Sequence, residues 1–171
     1  QAPAPVTRAD LENYGRKLTG RDVKIEGEIA ARLFPWPRLT VDDIHVANPP
    51  GLSEAEFARA ERIVVRMTLG GLFQGNIDVE SIEIERPVVA FERLASGDGN
   101  WHLKPAADLV RSELLDRVKL DRISLKNGVV KVADRRRGEA HQLDDFNATL
   151  SAPGIAGTWR MRAVGLYAGQ A

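Results

Sequence analysis

Ile77-Asp78-Val79-Glu80-Ser81-Ile82-Glu83-Ile84-Glu85-Arg86-Pro87 is a strand phrase: two alternating apolar positions, an acidic residue, two more alternating apolar positions and a backbone breaker. The phrase has an earlier copy, Leu39-x-Val41-Asp42-x-Ile44-x-Val46-x-x-Pro49, and a later one, Val118-x-Leu120-Asp121-x-Ile123-x-Leu125-x-x-Gly128. The copies start at residues 39, 77 and 118, which is 38 and 41 residues apart. Leu143-Asp144-Asp145-Phe146-x-Ala148 matches Val41 to Val46 as a degenerate fourth copy. A period in this range marks stacked units rather than one irregular core. The expected fold is mainly β with short helices: a curved, largely antiparallel sheet of repeated strand units.

Within each copy the apolar positions change parity, from Val41 to Ile44, Val79 to Ile82 and Leu120 to Ile123. A regular strand would then turn one pair outward. A β-bulge at Asp42-Asp43, Glu80-Ser81 and Asp121-Arg122 restores a single face; a break between two short strands is the other solution.

Working outward, Thr7 with Asp10 three residues on reads as a capping box, and Leu11, Tyr14 and Leu18 follow at helical spacing up to Thr19-Gly20. From Asp22 to Leu33 the alternation is strict, with Val23, Ile25, Gly27, Ile29, Ala31 and Leu33 on one face, which predicts one strand. Pro35-Trp36-Pro37 is a rigid corner. Ser53 to Ala60 has helical composition with Ser53 as N-cap. Ile63, Val65, Met67 and Leu69 alternate as a strand, and Gly70-Gly71 with Gly75 mark a compact turn around Leu72-Phe73. Val89 and Phe91 continue past Pro87, and Gly97-Asp98-Gly99-Asn100-Trp101 is a loop in which Trp101 anchors the turn against the sheet. Leu103 to Asp116 fits a short helix starting near Pro105. Asn127-Gly128 is a hairpin signal leading into Val130-x-Val132. A last strand covers Thr158 to Leu166.

The composition is charge-balanced, with 24 Lys plus Arg against 24 Asp plus Glu, so no net field recruits nucleic acid or an anionic bilayer. The chain has no cysteine, which removes disulfide and thiolate chemistry. No apolar run reaches the length of a membrane span and no signal-peptide pattern is present. His45, His102 and His141 lie far apart without a ligand-pair spacing, so no metal site is expected. No nucleophile elbow, phosphate loop or dinucleotide fingerprint occurs. Asp42, Glu80 and Asp121 recur with the phrase, which places them on successive strands rather than in one pocket. Arg135-Arg136-Arg137-Gly138 reads as a solvated turn. No catalytic residue and no cofactor are expected.

The order Leu18-Thr19-Gly20-Arg21, Leu33-Phe34-Pro35-Trp36-Pro37-x-Leu39, Asn48-Pro49-Pro50-Gly51, Phe57-Ala58-x-Ala60, Leu72-Phe73-x-Gly75-x-Ile77, Glu85-Arg86-Pro87 and Gly97-Asp98-Gly99-Asn100-Trp101 resembles the amino-terminal region of the AsmA family. The similarity covers nearly the whole chain, including Asn127-Gly128-Val129-Val130 and Gly165 to Gln170. The resemblance implies a periplasmic module of a bacterial envelope protein held in the inner membrane by one amino-terminal helix outside this sequence. It also implies a role in moving phospholipids toward the outer membrane through a repeating β trough, without enzymatic activity. Gln1-Ala2-Pro3-Ala4-Pro5 and Gly165 to Ala171 read as cut edges, with residues 1–20 a leader and amphipathic helix and residues 21–171 the repeating β domain.

A diacyl lipid carries about 30 methylenes, whose exposure at about 0.8 kcal/mol each costs on the order of 20 kcal/mol. A trough of apolar side chains replaces that water. On this expectation Val23, Ile25, Ile44, Val46, Val65, Ile82, Ile84, Val89, Phe91, Ile123, Leu125 and Val132 line its floor, and the partners are phospholipid acyl chains, the inner membrane and other envelope proteins. Lys24, Glu26, Arg66, Glu83 and Glu85 would face water on the other side. The competing reading is a structural or interaction module for outer-membrane assembly, with a closed dry core and no lipid cargo. A second competitor, a small enzyme, would need Asp42, Glu80 and Asp121 to cluster.

Overall fold

Thr7 and Asp10 form the expected capping box, Thr7 Oγ1 accepting from Asp10 N and Asp10 Oδ2 from Thr7 N, each at 3.1 Å. They start α1 (Arg8–Thr19), which Gly20 closes in the left-handed region at φ 71. The computed structural model describes residues 7–74, 78–102, 119–151 and 158–170. After α1 come β1 (Val23–Ile25), β2 (Ile29–Arg32), β3 (Arg38–Ala47), β4 (Glu56–Met67), α2 (Leu69–Phe73), β5 (Asp78–Glu85), β6 (Val88–Arg93), β7 (Lys119–Asp134), β8 (Glu139–Ser151) and β9 (Arg160–Gln170). The strands form one nine-stranded sheet in the order β1-β3-β4-β5-β7-β8-β9, with β2 beside β3 and β6 between β4 and β7. The fold is mainly β, as the phrase predicts.

The pairing is antiparallel except in the middle, where β5 and then β6 run parallel to β7. Asp78 pairs with Lys119 and Arg93 with Asp134, and every pair between is offset by the same 41 residues. The interval separating the second and third copies of the phrase is therefore also the register of their strands.

A crease crosses this sheet. Asp43, Arg86, Asn127 and Asp145 all have left-handed backbone, at φ 54, 49, 54 and 46. The register sets them nearly in one row. Asp42 and Ile44 face Arg62 and Ala60, which puts Glu61 beside Asp43. Arg62 faces Glu85 and Ala58 faces Val89, which puts Arg86 beside Glu61, and the two are ion-paired at 3.3 Å. Glu85 faces Lys126 and Val88 faces Val129, so Asn127 follows Arg86. At the same level of β8 the register with β7 shifts around Gly128 and Phe146, next to Asp145. A left-handed residue inside a strand advances the alternation by one, so apolar side chains on both sides of the crease return to a common face.

Several expectations change for the same reason. Asp22 to Leu33 is two strands, because opposite the crease Glu26 N and Gly27 N donate to Asp43 O and Asp42 O at 2.8 and 3.1 Å, while Asp42 N donates to Glu28 O. Gly27 meets this approach without a side chain: a Cβ there would lie 2.6 Å from Asp42 O. Asn127-Gly128 is a bend inside β7 rather than a hairpin, and the hairpin turns at Arg135 to Gly138, with Gly138 at φ 67. The three bulges are not spatially equivalent. Asp43 aligns with Arg86 and Asn127, whereas Glu80 is the residue skipped where Arg66 faces Ser81 and Met67 faces Val79. Ser53 to Ala60 contains no helix: β4 begins at Glu56, and pairing on both edges overrides the helical composition. The turn at Leu72-Phe73 is the single-turn α2. The helix expected over Leu103 to Asp116 lies outside the described residues.

Candidate functional site

Cross-strand partners in a sheet share a face, so the registers can be followed as rows of side chains. On one side of the crease Leu39, Val65, Ile82, Ile123, Leu150 and Met161 pair in succession across six strands. The next row is Val41, Ile63, Ile84, Leu125, Ala148 and Ala163. Beyond the crease Val23, Val46, Ala58, Val89, Val130, Leu143 and Tyr167 make a third row, followed by Phe91, Val132 and His141. At the β1 and β3 end the two sides of the crease pack together: Val23, Ile25, Val41 and Ile44 form one buried cluster, with Leu39, Val46 and Ile63 against it.

All twelve predicted floor residues fall on these rows or in that cluster, but their surroundings differ. Val23, Ile25 and Ile44 are 6 to 9% exposed and belong to the cluster that Leu11 of α1 covers. The helix is tied down there, with Glu12 accepting from Ile25 N at 3.0 Å and Arg8 donating to Ile25 O. Val46, Val65, Ile82, Ile84, Val89, Ile123 and Leu125 are half-buried. Phe91 stands edge-on to Phe57 and Trp101, at centroid distances of 5.8 and 6.4 Å, and Val132 is 40% exposed. Trp101 packs its ring over Gly99, in the anchoring position expected for that loop. Sequence reasoning missed that Ile63, Val130, Leu143, Leu150 and Met161 complete the rows. The readable signal was their alternation, but their register was not readable.

The opposite face is polar and internally paired. Arg62 Nε donates to Asp42 Oδ1 at 2.7 Å, and this hydrogen bond holds the Asp42 carboxyl below its usual range. Glu83 bridges Lys126 at 2.9 Å and Arg66 at 3.2 Å, and the Lys126 bond does most to lower its pKa. Asp42 thus faces Arg62, while Glu80 and Asp121 are exposed on the parallel pair β5 and β7. The three carboxylates do not meet in one pocket.

One polar cluster escaped the sequence. His45 Nε2 lies 2.6 Å from Asp43 Oδ1 and 3.6 Å from Glu26 Oε2, and its Nδ1 lies 2.7 Å from Glu56 Oε1. Donor atoms of Glu26, Asp43 and His45 all fall within 4.8 Å of one another, close enough to share a cation. Burial opposes charge on the imidazole, but the hydrogen bonds to Asp43 and Glu56 and their negative charge outweigh it and raise the His45 pKa. With both ring nitrogens held by carboxylates, the cluster is satisfied as an imidazolium ion pair. Glu26 and His45 come together only through the β1 and β3 register.

Among the described residues no helix is long and apolar enough to cross a membrane. The AsmA family model matches residues 8–163. The chain is also similar to the AsmA family protein YhjG of Escherichia coli strain K12, with 27% identity over 74 residues, 43% of this chain and 11% of that protein. The aligned stretch therefore spans about a tenth of the relative's length. With the family pattern extending from the first turn of α1 to the middle of β9, this chain belongs to the AsmA family.

Proposed function

We propose that the chain is an envelope module that shields acyl chains on its apolar face and helps move phospholipids between the inner and outer membranes, from the periplasmic face of an inner-membrane-anchored protein. The observation that carries the reading is the continuity of the rows: Val65, Ile82 and Ile123 are direct neighbours, as are Ile84 and Leu125, with no charged side chain between them. An acyl chain on such a surface loses its water at every methylene and meets no polar group that would hold it at one point. On this reading Val65, Ile82, Ile84, Val89, Ile123 and Leu125 contact lipid, while α1, Val23, Ile25 and Ile44 form the closed end. The chemistry asked of the protein is binding and exclusion of water, with no covalent step.

Photo-crosslinking residues at Val65 and Ile84, with Arg66 and Glu83 as controls on the polar face, test the proposal in cells. Lipid adducts confined to Val65 and Ile84 support it. Equal labelling of both pairs, or no adducts, counts against it. The α1-covered cluster favours a second reading, a protein-docking module with a dry core. That reading expects protein adducts at the edge strand β9 and none with lipid.

A further inference from the structure

The two ends of the sheet differ in chemistry. At one end the turn between β2 and β3 and the helix α2 between β4 and β5 lie side by side, joined by the bond from Met67 N to Pro37 O at 3.0 Å. These two turns hold the most exposed aromatic side chains of the described residues: Phe34 is 76% exposed, Trp36 73% and Phe73 87%, with Leu33 at 59%. Pro37, at the base of the turn, is fully buried, so the exposed residues project from a fixed stem rather than from a loose loop. Residues 29–38 carry Arg32 and Arg38 and no acidic side chain, and residues 67–74 carry no charge. Trp36, Arg38 and Arg66 line one cleft, with Glu80 the acidic residue beside them. The opposite end has the turn Arg135 to Gly138 and an ion pair between Arg135 and the buried Glu92 at 2.6 Å. Exposed phenylalanines are absent from that turn.

Exposed Phe and Leu beside Trp and Arg, on turns that protrude, match the interfacial zone of a phospholipid bilayer. There, indole rings sit at headgroup level, apolar tips enter the acyl boundary and arginines meet phosphates. We infer that the tip formed by Leu33, Phe34, Trp36 and Phe73, with Arg32 and Arg38, is a membrane-docking surface that seats this end of the sheet on an anionic bilayer. It goes beyond lipid shielding, since it needs no acyl chain on the apolar face.

The test is flotation of the 171-residue chain with vesicles of phosphatidylethanolamine and phosphatidylglycerol, read together with quenching of tryptophan fluorescence by lipids brominated near the carbonyl. The expected result is co-flotation that weakens with added salt. Trp36→Phe should remove most of the quenching, although Trp101 and Trp159 remain. The triple variant Phe34→Ser, Trp36→Ser, Phe73→Ser should lower binding about tenfold or more, with an unchanged thermal transition because all three side chains are exposed. Failure of the parent chain to float, or flotation that the triple variant leaves intact, overturns the inference. Ile84→Glu separates the two proposals: it should abolish acyl crosslinking and leave flotation unchanged, so each idea fails on its own readout. Capture of a protein by these residues without vesicle binding would also overturn the docking surface.

Discussion

Arg86 and Asn127 stand side by side on parallel strands, 41 residues apart in sequence, and both hold left-handed backbone, at φ 49 and 54. Their neighbours interlock across the gap: Arg86 N donates to Lys126 O at 2.8 Å, and Val129 N to Pro87 O at 2.8 Å. This pair is the middle of the crease that keeps Ile84 and Val89, and Leu125 and Val130, on one apolar face.

Asn127 tolerates left-handed geometry better than most residues, and a β-branched residue does not. Asn127→Val should destabilise the chain by about 1–2 kcal/mol, while Asn127→Gly should stay within about 0.5 kcal/mol of the parent. Urea unfolding monitored by circular dichroism checks both. Equal stability of the Val and Gly variants would mean that the crease does not depend on backbone strain at this position.

Gly27 faces Asp42 O at a distance no Cβ can occupy. Gly27→Ala is expected to cost about 1–3 kcal/mol through displacement of β3, measured by the same unfolding midpoint. Gly138→Asn is the control. Gly138 also has positive φ, but nothing lies within 4 Å of its missing side chain, so a residue that accepts that conformation should be tolerated.

The His45 cluster makes stability fall as pH rises. His45 gains its partners on folding and its folded pKa is raised above the ordinary value of 6.5. Its contribution is complete below that value and is lost as pH climbs through the raised one. Glu26, Asp43 and Glu56 all face the ring. Melting temperatures taken from about pH 6 to about pH 9 should decline in the parent and flatten in His45→Gln. A parallel decline in both proteins would assign the effect to other groups.

Asn100 is 4% exposed and ties three segments together, donating to Ala90 O at 2.6 Å and Asn48 Oδ1 at 3.1 Å while accepting from Glu92 N at 2.8 Å. Glu92 is equally buried; burial raises its pKa, but bonds from Ser53 Oγ, Ser53 N and Arg135 overcome this and lower it. Asn100→Ala strands buried backbone groups and should cost about 2–3 kcal/mol, read from guanidinium unfolding. A loss under about 0.5 kcal/mol would indicate that water replaces the amide.

The polar network around Asn100 explains two motifs that the sequence shows without a reason. Asn48-Pro49-Pro50-Gly51 and Gly97-Asp98-Gly99-Asn100-Trp101 are joined by the Asn48 and Asn100 side chains across 52 residues, a contact that no local pattern announces. In contrast, the capping box at Thr7 and Asp10 was readable because it lies within one turn of chain. Ser53 to Ala60 misled for the converse reason. Its Glu and Ala residues favour a helix locally, but β3 on one side and β6 on the other supply hydrogen bonds that only a strand can take.

Alternation, the repeated phrase and its 41-residue interval determined from sequence that this is a β protein with one apolar face, since period and spacing depend only on neighbouring residues and their pleat. Which phrases lie at the same height was decided by the tertiary structure. Strand register is a long-range choice, and it aligned Asp43 with Arg86 and Asn127 rather than with Glu80. The same choice brought Glu26, Asp43 and Glu56 around His45, placed α1 over Val23 and Ile25, and set Phe34, Trp36 and Phe73 on adjoining turns. Each juxtaposition joins residues on different strands or turns, and hydrogen bonding between strands, not local preference, fixes their separation in space.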